Sequence, residues 1–134
     1  MQQSALDNLF SEAQLKRIFP EHLTDRFFEV LLGDAEDGAY DIRLVFDGCN
    51  EGELNFAFHL IERPGKCLVC SLTYGLPEVF RRHPVIDLEG VVAAIGKCLN
   101  GSARFSGWRL GKTREIARGL HAIPLKIELE ATSR

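Results

Sequence analysis

A chain of 134 residues, 46% hydrophobic and 26% charged, is the size of one domain and too apolar for intrinsic disorder. No stretch approaches the roughly 20 consecutive apolar residues of a membrane span, and no basic-then-apolar leader opens the chain, so a cytoplasmic protein without membrane contact is expected. The net charge of −3 argues against general nucleic-acid binding, which needs a strongly basic surface.

The first helix signal is Ser11 followed by Gln14, a capping box, with Phe10 and Leu15 at the hydrophobic-staple positions around it. Leu15, Ile18 and Phe19 share one side of this short helix, and Pro20 ends it. Thr24, flanked by Leu23 and Phe28 in the same staple arrangement, predicts a second start that Gly33 stops. A turn over 34–38 follows. Strict alternation in "YDIRLVF" and "ELNFAFHLI" then predicts two half-buried antiparallel strands. Tyr40, Ile42, Leu44, Phe46 and Leu54, Phe56, Phe58, Leu60 form their inner faces, and "DGCNEG" is the hairpin loop between them.

"RPGK" predicts a turn into a third strand, "CLVCSLTY" (67–74), and Pro77 opens a short helix that Pro84 closes. Asp87 caps a longer helix reaching about Leu99, with Leu88, Val91, Val92, Ile95 and Leu99 on one face. "ARFSGWRL" is the fourth strand, where a bulge at Ser106-Gly107 would return Trp108 and Leu110 to the inner face. "HAIPLKIELE" is the fifth, and its Pro124 favours a sheet edge. The expected fold is a single α+β domain over 1–134. It has a five-stranded, largely antiparallel sheet (three-strand meander, helix, two strands), with helices packed on one face.

Three residue sets could carry chemistry. Cys67 and Cys70 have the spacing of a metal or redox pair, but on a strand positions three apart point to opposite faces. A small buried hydrophobe is the alternative for each, and the four cysteines at 49, 67, 70 and 98 fit thiols kept reduced. No metal or other cofactor is expected. "GKT" at 111–113 is no phosphate loop, because Ser106 stands where that motif needs its first glycine.

The basic residues Arg81, Arg82, His83, Arg109 and Lys112 form a candidate site for a phosphate or carboxylate, since guanidinium groups offer paired, planar donors. The alternative is pairing within the fold. Residues 1–62 hold 13 Asp/Glu against 4 Lys/Arg, whereas residues 63–134 hold 12 Lys/Arg against 6 Asp/Glu.

Residues 63–84 with "WRLGKTREIARGLHAIPL" (108–125) resemble a small bacterial family of sulfate- and metal-reducing lineages. Its members often carry the name of a pancreas/duodenum homeobox protein, and the resemblance implies no activity. A homeodomain is a basic three-helix module, and this chain is acidic and strand-rich. The order of elements is also similar to type III secretion chaperone-like domains, which implies dimers that hold extended partner segments. The expected function is therefore a non-enzymatic module binding another protein, with self-association as a homodimer and an edge strand available for pairing. The alternatives are a binder of an anionic small molecule at the arginines and a zinc or redox protein at Cys67 and Cys70.

Overall fold

The computed structural model describes residues 3–33, 38, 40–50, 52–66, 76–99 and 104–130. In chain order these form α1 (Gln3–Leu9), α2 (Glu12–Ile18), α3 (His22–Leu32), β1 (Tyr40–Asn50), β2 (Glu53–Glu62), α4 (Leu76–Arg82), α5 (Leu88–Cys98), β3 (Phe105–Leu110), β4 (Arg114–Ala117) and β5 (Leu120–Leu129). The class is α+β with a five-stranded antiparallel sheet, as the alternating strands require. No helix among the described residues is long and apolar enough to cross a membrane.

The local signals act where the sequence places them. Ser11 Oγ accepts the Gln14 N–H at 3.3 Å, while Phe10 and Leu15 are both buried beside it. Gly33 ends α3 with φ of +92°, a left-handed conformation that a side chain would resist, and its N–H bonds to the Glu29 carbonyl. Asp87 caps α5 through the Gly90 N–H at 3.2 Å. One helix was not anticipated: α1, whose Leu6 and Phe10 lie one turn apart and are both buried.

Thr24 is a correction. It is not a cap, because α3 starts two residues earlier, at His22. Its hydroxyl is buried against β1, where it accepts the Ile42 N–H at 3.1 Å and donates to the Ile42 carbonyl at 3.4 Å. Both main-chain groups of a strand residue point to the same edge. Ile42 therefore turns its donor and acceptor toward α3, and one threonine side chain replaces a neighbouring strand there. Arg63 ties the same corner together. Its guanidinium bonds Asp25 of α3 at 2.8 Å and Asp41 of β1 at 3.0 Å, and lies over the Phe28 ring.

The sheet order is β1-β2-β5-β3, with β4 also paired to β5. The expected hairpin loop over 47–52 is mostly strand: after a bulge between Phe46 and Gly48, the ladder runs on to Asn50↔Glu53. The expected third strand, 67–74, lies outside the described residues. The place beside β2 is taken by β5, from Ile61↔Leu120 to Glu53↔Glu128.

Pro124 is thus in a central strand and not at an edge. Its carbonyl accepts the Gly111 N–H at 2.8 Å, so the missing N–H faces the same side. That side is the break between β3, which ends opposite Leu125, and β4, which starts opposite Ala122. The proline is tolerated because its partner strand is interrupted where the donor would be needed.

The core lies on one side of the sheet. Tyr40, Ile42 and Leu44, then Leu54, Phe56, Phe58 and Leu60, then Ile123, Leu125 and Ile127 form three buried rows under the helices. Phe58 meets Phe80 of α4 at 5.5 Å and Phe19 at 5.5 Å, and Phe80 meets Phe27 of α3 at 5.4 Å.

Thr24→Val, which keeps the shape and removes the hydroxyl, leaves a buried donor and acceptor at Ile42 unsatisfied. It should cost about 1–3 kcal/mol of unfolding free energy in urea, whereas Thr24→Ser retains most of that stability.

Candidate functional site

α4 is held at the sheet by its buried Leu76 and Phe80, which leaves its Glu78 and Arg81 half-exposed or exposed. Across from it, the register slip at Ser106 restores alternation, so that Trp108 pairs with Ile127 and Leu110 with Leu125, both on the inner face. That face of β3 is only partly covered. α5 closes over Phe105, where an added Cβ on Gly96 would stand 3.3 Å from the ring, but Trp108 and Leu110 remain half-buried.

The gap between α4 and β3 is a groove of about 1150 Å³. Leu76, Pro77, Trp108 and Leu110 supply its apolar surface. Glu78, Arg81, Lys112 and Thr113 supply the polar one. The volume is at or above the ~300–1,000 Å³ usual for small-molecule sites.

Of the five basic residues singled out in the sequence, two bring their charge to this groove. Arg81 lines it, with its Nη1 3.4 Å from Glu78 Oε1. Lys112 lines it too and has no ion-pair partner among the described residues. Arg82 is 81% exposed and approaches only Glu78 Oε2, at 3.8 Å. Arg109 borders the groove, but alternation sends its side chain to the opposite face. There it pairs with Glu53 at 2.9 Å and Glu128 at 3.1 Å. His83 packs its ring on Phe27, 4.7 Å between centroids, and its Nδ1 accepts the Val85 N–H at 3.2 Å. Burial holds its pKa below the ordinary histidine value.

The basic residues of the second half divide between the two surroundings. Arg63, Arg109 and Lys126 pair with acids of the N-terminal half, and Arg81 and Lys112 face the groove.

Thr113 was not anticipated. Its Oγ1 is buried and has no hydrogen-bond partner among the described residues, although the residue lines the groove. An unmade hydrogen bond on a buried hydroxyl costs about 1–3 kcal/mol, which a ligand group could recover. No local sequence signal marks this hydroxyl, and the phosphate loop already excluded at "GKT" stays excluded. Gly111, the glycine of that triplet, commits its N–H to the Pro124 carbonyl.

Cys67 and Cys70 lie outside the described residues. Cys49 and Cys98 are both half-buried, and Cys98 Sγ accepts from Gln14 Nε2 at 3.2 Å. Among the described residues no group of three or more His, Cys, Asp or Glu is placed to hold a metal.

No family model matches this chain, and neither the curated proteins nor the solved structures contain a significant match to it. The groove has to be read from its own chemistry.

The depressed His83 pKa has a pH consequence. A histidine favoured in its neutral form stabilises the fold above its unfolded pKa, about 6.5, and that contribution is lost as pH falls through the folded value. The urea midpoint should drop between pH 7.5 and pH 5, and His83→Gln should make it less sensitive to pH over that window. An NMR titration should place the imidazole below the ordinary value.

Proposed function

We propose that this protein works by binding, and that the groove between α4 and β3 takes a small molecule with an apolar body and an anionic group. The observation that carries this reading is the meeting of an apolar floor, Leu76, Pro77, Trp108 and Leu110, with two cations, Arg81 and Lys112. Apolar area supplies the affinity, and a few convergent polar groups fix the orientation. Arg81 presents the planar donors suited to an anion, and Lys112 adds a mobile point charge. Cytoplasmic residence belongs to the same proposal, since the free thiol of Cys98 suits a reducing compartment.

A thermal-shift screen of carboxylated and phosphorylated metabolites tests it. A ligand at ~100 times its dissociation constant adds ~2.7 kcal/mol, a rise on the order of 10 °C for a domain of this size. Arg81→Gln should reduce that rise. A screen with no shift for any anionic compound overturns the reading.

A second reading, recognition of another copy of the chain, is favoured by the other face of the sheet. Among the described residues no helix covers it. Val45, Ala57 and Pro124 form one row across β1, β2 and β5, and Ile61 lies beside Leu120 in another. Light scattering should then give twice the 15.0 kDa chain mass, and Ile61→Lys should return the monomer. A monomer at the highest soluble concentration rules this out.

A further inference from the structure

We propose that the ligand of the groove is a monocarboxylate with a long or broad apolar body, and not a phosphate ester; this inference rests on the groove being a ligand site. Three observations set the class. Arg109 borders the groove, but its guanidinium is neutralised by Glu53 and Glu128 on the opposite face, so the charges left to the groove are Arg81, Lys112 and Glu78, a sum of +1. A carboxylate brings −1 and leaves the occupied groove neutral. A phosphate monoester brings −1.5 to −2 near neutral pH and places surplus negative charge beside Glu78. That glutamate is already 3.4 Å from Arg81, so any group seated on the guanidinium also meets the carboxylate. It acts as the repulsive element that specificity requires, and Arg82, the other cation on Glu78, projects into solvent where its field is screened.

The second observation is the backbone. Phosphate sites are commonly built from several free N–H groups at a glycine-rich turn. The Gly111 N–H here bonds the Pro124 carbonyl at 2.8 Å, inside the sheet. α4 contributes no compensating cradle, being seven residues long.

The third is Thr113. The residue lines the groove, and its buried hydroxyl, unpartnered among the described residues, can reach a carboxylate oxygen by rotating about χ1 and donate to it beside Arg81 or Lys112. The apolar body of the ligand then lies along Trp108 and Leu110, whose half-buried faces gain cover on binding.

Trp108 is the only tryptophan in the chain, so its emission reports on the groove alone. The experiment titrates the full chain at pH 8 with three probes sharing one apolar body: decanoate, decyl phosphate and decanamide. Decanoate should shift Trp108 emission saturably, with decyl phosphate and decanamide at least about tenfold weaker. Glu78→Gln should then admit decyl phosphate by lifting the repulsion, and Arg81→Gln should bring decanoate down to the level of decanamide. Both positions are solvent-accessible, and far-UV circular dichroism confirms that the variants fold. Decyl phosphate binding as tightly as decanoate to the unaltered protein overturns the carboxylate assignment and leaves an anion site standing. Decanamide binding as tightly as decanoate overturns the anion site itself. A flat response of Trp108 to all three probes overturns the groove as a ligand site.

Discussion

A continuous run of aromatic contacts joins the sheet to its helices, and the placement of every other feature follows from it. Tyr40 of β1 meets Phe28 of α3, Phe28 meets Phe27, Phe27 meets Phe80 of α4, and Phe80 meets Phe58 of β2. A second cluster, Phe10, Phe46 and Phe56, ties α1 and α2 to the far end of the same two strands. Such rings fill volume that aliphatic side chains would leave partly empty, and their edge-to-face contacts fix relative orientation. α4 is only two turns long and would not be stable alone. Phe80 anchors it, and that anchor decides where Glu78 and Arg81 stand relative to β3.

The groove exists because the fold stops short on one side. β1 and β2 are covered by α1, α2 and α3, and α5 reaches Phe105, but Trp108 and Leu110 lie beyond that cover. Pro124 maintains the interruption between β3 and β4, since no donor is available to pair residues 111–113 into the ladder. Two of the outer strands, β1 and β4, carry features that discourage strand addition. Thr24 occupies the main-chain groups of Ile42 on β1, and β4 is four residues long, bulged and bears Arg114. The strand bearing Pro124, expected at an edge, is enclosed by β2 on one side and β3 and β4 on the other, and the outer edge on that side belongs to β3 and β4.

Much of the architecture was legible because period-two alternation and capping chemistry are local signals. The strands read at 40–46, 53–61 and 121–130, the Ser11 and Asp87 caps, the stop at Gly33 and the slip at Ser106 all depend on residues a few positions apart. What could not be read depends on distant neighbours. Thr24 looks like a cap because its partner, Ile42, is 18 positions away. Pro124 looks like an edge residue until the gap at 111–113 is placed beside it. The basic cluster divided for the same reason: residue type shows that Arg109 and Arg81 are cationic, but only the register sends one to each side of the sheet.

The central position of β5 has a kinetic side. Its pairing with β2 joins segments roughly 60 to 75 residues apart, the kind of non-local contact that slows folding. Until residues 120–129 arrive, β2 has one open edge and the buried row of Ile123, Leu125 and Ile127 is missing from the core. The helices and the β1–β2 hairpin can form earlier from nearby residues, with their aromatic surface still partly in water. β5, synthesised after β1 to β4, is thus the strand that closes the apolar interior, and it also brings Pro124, which sets the opening in the wall.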